Sequence, residues 1–298
     1  MNLTFQIFKI YLIVLTAMTI MGCAHRSYVE PYDRGVALAS QGKYEVAKQE
    51  FISSLDVYQY FTPSVRSIEI IDDMNKGVIS TDTAALIFTG ISNADKKLYG
   101  QAIVDYSRAI DDNPEYAYLY VLRGSAYSKT GKLDLAVNDY NTSITLDPEI
   151  AETYINRGFT YAEQNQHESA IQDYQIAIEL DSKLDLAYLN LGVIYEAQEL
   201  NERAVISYTS AIEINPMNAK AYSNRANLNH ILGKYDLAIK DYNKAIEFNP
   251  DAAVLYSNRG YVHLVRLGHE IKGCLDLQRA CKLGECKYYD AAVQRDDC

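Results

Sequence analysis

Apolar and small residues in this chain return on a helical schedule. In residues 151–184, Tyr154, Gly158 and Tyr161 are spaced four and three apart, and Ala170, Tyr174 and Ala177 repeat that spacing. Each triplet falls on one face of a helix. The same two-helix pattern runs through 185–218 as Tyr188, Gly192, Tyr195, Ala204, Tyr208 and Ala211. Residues 117–150 carry Tyr120, Gly124, Tyr127, Ala136 and Tyr140, with Ser143 in the last place. Residues 219–252 carry Tyr222, Ala226, Ala238, Tyr242 and Ala245, with Asn229 in the third place. Tyr120, Tyr154, Tyr188, Tyr222 and Tyr256 are 34 residues apart, as are Pro114, Pro148, Ser182, Pro216 and Pro250. Proline stops the second helix because it has no N–H to continue the ladder. The small residues let the two helices of a pair approach closely, and the tyrosines fill the space around them.

A fixed period of this length marks a repeat array. The residue types resemble the tetratricopeptide repeat, a helix–turn–helix unit. The pattern has a large residue at position four, Gly or Ala at eight, an aromatic at eleven, Ala at twenty, an aromatic at twenty-four, Ala at twenty-seven and Pro at thirty-two. The resemblance implies an all-α, right-handed α-solenoid with a C-terminal capping helix. It covers residues 28–287 apart from one insertion. Residues 28–61 form a first unit on Gly35, Leu38, Ala47 and Phe51. Residues 62–82 are the insertion, read as a helix that starts at Thr62-Pro63 and stops at Gly77. Five tandem units fill 83–252, the first of them weaker, with Asn93 at its aromatic place. The unit at 253–287 is divergent. Its Gly268, Gly273, Asp276 and Ala280 lie 35 residues after Gly233, Ala238, Asp241 and Ala245, which places one extra residue between His263 and Leu267. A last helix, about Glu285 to Val293, with the tail at 288–298, would cap the array.

The N-terminus is a separate question. Residues 10–22 hold no charge, Lys9 precedes them, and Gly22-Cys23 ends them as a small residue ends a secretory signal. Ile20-Met21-Gly22-Cys23 resembles the bacterial lipobox. That implies a signal peptide over 1–22, lipidation of Cys23, a linker over 23–27 and attachment to the membrane through the lipid. Ala24, where an aspartate would resemble an inner-membrane signal, directs the expectation to the outer membrane, facing the periplasm. The alternative is a plain membrane anchor from about Leu3 to Gly22. With Cys23 lipidated, Cys274, Cys281, Cys286 and Cys298 remain, enough for two disulfides in an oxidising compartment. Cys274 and Cys281 sit two turns apart on one helix, too far to pair. An antiparallel final helix would join Cys281 to Cys286 and Cys274 to Cys298. Zinc, with His263 and His269 nearby, is the rival reading, although the spacing fits no common zinc pattern.

Composition narrows the function. Of 298 residues, 48% are apolar and 22% charged, ordinary for a folded chain, and the net charge of −11 argues against nucleic acid. No phosphate loop, nucleophile elbow or helical His pair is present, so the expectation is a non-enzymatic protein without cofactor or metal. Asp139, Asp173 and Asp241, which recur on second helices, read as a solvated outer face. The family resemblance implies a concave groove lined by first-helix positions two, five, six, nine, twelve and thirteen. Here these include Val121, Ser125, Ile155, Asn156, Phe159, Leu189, Asn190, Val193, Asn224, Asn227, Asn258 and Tyr261. Asn156, Asn190, Asn224 and Asn258 recur once per repeat. They resemble a ladder that holds a peptide backbone, because an amide both donates and accepts; packing is the other reading. The family's clamp for acidic C-terminal peptides needs Lys at position five, which is missing. The expected partners are peptide segments of envelope proteins, with self-association in a pilus or secretion complex as the alternative.

Overall fold

The computed structural model describes residues 29–57 and 62–298. The expected signal peptide, the lipidation site Cys23 and the linker over 23–27 lie outside the described residues. Those residues fall into two compact units, one ending at Lys183 and the other running from Leu184 to Cys298. Each is described by itself.

The first unit contains α1 (residues 29–39), α2 (Tyr44–Val57), α3 (Thr62–Asn75), α4 (Thr81–Asp95), α5 (Tyr99–Asp112), α6 (Ala117–Lys129), α7 (Leu133–Leu146), α8 (Ala151–Glu163) and α9 (His167–Leu180). The second contains α10 (Asp185–Ala197), α11 (Asn201–Ile214), α12 (Ala219–Ile231), α13 (Tyr235–Phe248), α14 (Ala253–Tyr261), α15 (Glu270–Lys282) and α16 (Lys287–Gln294). No strand occurs among the described residues. Within each unit, apart from the inserted α3, successive helices form hairpins stacked in sequence order, the arrangement of an α-solenoid.

The repeat pattern explains the hairpins. Ala102, Ala136, Ala170, Ala204 and Ala238 are fully buried, and Tyr106, Tyr140, Tyr174, Tyr208 and Tyr242 are nearly so. Each of these rings lies over the small residue of its own first helix. A Cβ added to Gly192 would stand 2.4 Å from the Tyr208 ring, and one added to Gly158 would stand 2.8 Å from that of Tyr174. The turn inside each hairpin puts its fifteenth residue at positive φ: Gly131, Asn165, Glu199 and Gly233. In the last repeat that residue is Gly268, one place late. The extra residue is absorbed just before it, in a π-helical turn over Val262–Arg266. Where Ser182 replaces proline the turn still forms, because the Asp181 carboxylate accepts from the Lys183 N–H at 2.9 Å.

Asp139, Asp173 and Asp241 do not form a solvated face; they are buried. Each receives two hydrogen bonds from an arginine at position seven of its own first helix. Arg123 reaches Asp139 at 2.8 and 2.8 Å, Arg157 reaches Asp173 at 2.8 and 2.7 Å, and Arg225 reaches Asp241 at 2.8 and 2.8 Å. Arg259 and Asp276 repeat this in the last unit. The remaining guanidinium nitrogen crosses to the preceding repeat's second helix: Arg157 to Asn141 at 2.6 Å, Arg225 to Thr209 at 2.9 Å. One side chain therefore ties three helices. The repeat at 185–218 carries Leu191 and Ser207 at these two places, so both charges are absent together. That joint loss is what burial demands, since either charge alone would be stranded.

The C-terminal end is closed covalently. Cys274 bonds to Cys298 and Cys281 to Cys286, joining α15 to the tail beyond α16 and to the α15–α16 turn. Reduction releases a constraint worth about 2–4 kcal/mol for a loop of this size. The expected result is faster amide exchange in α16 after mild reduction, with α10–α13 unchanged. Equal acceleration throughout the second unit would show that the disulfides hold more than the cap.

Candidate functional site

First helices of neighbouring repeats touch one another, α6 with α8 and α10 with α12, and so make a continuous face within each unit. Fifth-position residues are consumed by that contact. Val121, Ile155 and Leu189 are only 1%, 4% and 5% exposed, and Leu189 shares a cluster with Ala221 of α12. These three therefore belong to the core and not to a groove lining. For Val121, which packs with Ile150 at the start of α8, and for Leu189 the position faces the adjacent first helix, which a single-helix projection does not reveal.

What remains open is a mixed surface. In the first unit, Phe159 is exposed and Ser125 and Asn156 are half-buried. The Lys129 ammonium lies 5.4 Å from the Phe159 ring. In the second unit Val193 is 44% exposed and Ile231, one of the thirteenth positions, 69%. Asn190, Asn224, Asn227, Asn258 and Tyr261 lie half-buried on the same face.

The asparagines divide into two kinds. Asn258 donates to the Asn227 side-chain oxygen at 3.1 Å, and the same oxygen accepts the Tyr242 hydroxyl at 2.6 Å. Asn224 lies beside the Tyr208 hydroxyl, which donates to Glu196 at 2.7 Å. These amides serve the fold. The Asn156 and Asn190 side chains have no hydrogen-bond partner among the described residues. Each is an open donor and acceptor next to apolar surface, suited to a peptide group. At the far end of the second unit Tyr261 packs edge-on against His230 at 5.7 Å and Tyr288 at 6.5 Å. Partial burial, then the nearby Arg266 charge, lowers the His230 pKa and favours the neutral ring.

The four C-terminal cysteines are spent on each other, and His263 and His269 face one another at 3.2 Å without a third ligand among the described residues. No helix among the described residues is long and apolar enough to cross a membrane.

Comparison with known proteins agrees with this geometry. Residues 219–252 and 186–218 each match a family model described as tetratricopeptide repeat, and residues 124–165 and 160–199 match a model described as TPR repeat. The chain is a tetratricopeptide repeat protein. Arrays of this kind generally serve as scaffolds for protein–protein contacts, through the extended surfaces that stacking creates. The repeat protein is similar in fold to a tetratricopeptide repeat protein from Parabacteroides merdae, at 21% identity and a TM-score of 0.56, over 89% of this chain and 99% of that one. It is similar to Pseudomonas aeruginosa pilF at 18% identity and a TM-score of 0.63, over 72% of this chain and 97% of that one. It is also similar to YrrB, described as a TPR protein with an unusual peptide-binding site, at 20% identity and a TM-score of 0.51, over 63% and 97%. At these identities the likeness shows the fold. A search of curated proteins gave no match for the tetratricopeptide repeat protein.

Proposed function

We propose that this protein is a non-enzymatic scaffold of the bacterial envelope that binds extended peptide segments of other envelope proteins on its first-helix faces. The observation that carries the reading is the pair of open amides, Asn156 and Asn190, each on a face with exposed apolar side chains. The chain would be held at the outer membrane, periplasmic side, through lipid on Cys23. The two disulfides support an oxidising compartment. The test is a pull-down from crosslinked envelope extract with residues 24–298 as bait, beside the double variant Asn156→Ala, Asn190→Ala. Neither amide has a hydrogen-bond partner among the described residues, so stability should move by no more than about 0.5 kcal/mol. The expected result is loss of a partner from the variant at unchanged melting temperature. Identical partners for both baits would remove the groove from the account.

A second reading, self-association within an assembly, draws on Ile271 and Leu275, which lie one turn apart on α15 and are 80% and 61% exposed. Sedimentation of the lipid-free protein separates the two. A monomer at every concentration favours the peptide scaffold, and concentration-dependent oligomers favour assembly.

A further inference from the structure

Helices α3, α4, α5, α6 and α8 of the first unit contribute to the wall of a cavity of about 190 Å³. Two of the hydroxyls on that wall are both buried and spare. Tyr106 and Ser67 are each 2% exposed, and neither has a hydrogen-bond partner among the described residues. Asp95 lines the same cavity from the end of α4, with no hydrogen bond or ion pair to any described residue. The nearby cations are already engaged. Arg66 binds Glu69 at 2.7 Å and reaches Glu152 at 3.6 Å, while Lys129 lies against the Phe159 ring. Tyr118 donates its hydroxyl proton to Glu152 at 3.2 Å. Unused acceptors therefore predominate: a carboxylate that only accepts, and two hydroxyl oxygens that can accept. Desolvation, then the Asp33 carboxylate, pushes Asp95 up to about 6 against the pull of Lys96, a sign of uncompensated negative charge.

The matching ligand is compact, positive and rich in donors. An ammonium group has three donors and no acceptor, and tyrosine rings attract cations. We propose that this cavity accepts a primary ammonium group on a flexible aliphatic stem, the chemistry shared by a partner's lysine side chain and a free aliphatic diamine. The site belongs to the first unit and does not rest on the asparagine reading.

The test is calorimetric titration of the full chain at slightly alkaline pH, where Asp95 is ionised. The probes are Nα-acetyl-lysine methylamide, cadaverine and Nα-acetyl-norleucine methylamide, which keeps the stem without the ammonium. The expected result is binding of an amine probe and none of the norleucine compound. Affinity should fall by about tenfold or more in Asp95→Asn and about threefold to tenfold in Tyr106→Phe. Tyr106→Phe removes only an oxygen without a hydrogen-bond partner among the described residues, so unchanged helicity separates lost binding from lost folding. Binding of the lysine amide alone assigns the site to a partner's side chain, and equal or tighter binding of cadaverine assigns it to a free amine. Equal binding of the norleucine compound, no binding of either amine at millimolar concentration, or full affinity in both variants would overturn the proposal.

Discussion

Replacing Arg157 by Leu should cost about 3–5 kcal/mol, because it leaves the Asp173 carboxylate buried without its partner. Adding Asp173→Ser to the same chain should restore stability to within about 1 kcal/mol, since a buried pair replaced as a unit is often nearly neutral. The chain contains its own precedent, Leu191 with Ser207 at the equivalent places. Urea unfolding of the two single variants and the double variant gives the coupling energy directly. Additive losses would mean that the ion pair is not the unit that matters. The lost contact from Arg157 to Asn141 sets a ceiling on the recovery, because the double variant does not restore it.

The second large effect is expected at Tyr174. Its ring is almost fully buried and fills the space over Gly158, so Tyr174→Ala should lose about 3–5 kcal/mol through the cavity it leaves. Tyr174→Phe should change stability by no more than about 0.5 kcal/mol, because the hydroxyl has no hydrogen-bond partner among the described residues. Phe51 already plays this part over Gly35 in the first repeat. Tyr208→Phe should be costlier, because its hydroxyl is bonded to Glu196, and a bond to a charged group contributes about 1.5–3 kcal/mol. Thermal melts of the three variants check the order. Equal losses in the two Phe variants would show that the ring alone decides.

Much of the fold was legible because it repeats. Gly158, Tyr174 and their copies recur at fixed spacing, and a recurring small–large pair implies a close helix crossing whatever the local propensities. The one-residue shift to Gly268 was legible for the same reason, although only the structure shows that a π-turn absorbs it. The arginine ties were harder to see. On its own helix Asp173 reads as solvated, yet its burial is decided by Arg157 on the other helix of the hairpin, sixteen residues away. The usable signal was the joint replacement at Leu191 and Ser207.

The site was less legible than the fold. Position within a repeat does not say whether an amide is spent. Asn258 is engaged because Asn227 happens to stand opposite, whereas the Asn190 side chain has no hydrogen-bond partner among the described residues. Val121 and Leu189 were lost to contacts between neighbouring first helices, which no single repeat displays. The Tyr106–Ser67–Asp95 cavity was the least legible of all. One of its walls comes from the insertion, which has no second copy in the chain to compare with.

The measurement closest to the central claim is site-specific photocrosslinking in intact envelopes. A photoreactive side chain at Val193 would probe the first-helix face, and one at Ile206, exposed on α11, would serve as the control. The account predicts a discrete adduct from Val193 that is lost when Asn190→Ala is added, and none from Ile206. An adduct from Ile206 alone, or one from Val193 indifferent to Asn190, would contradict it.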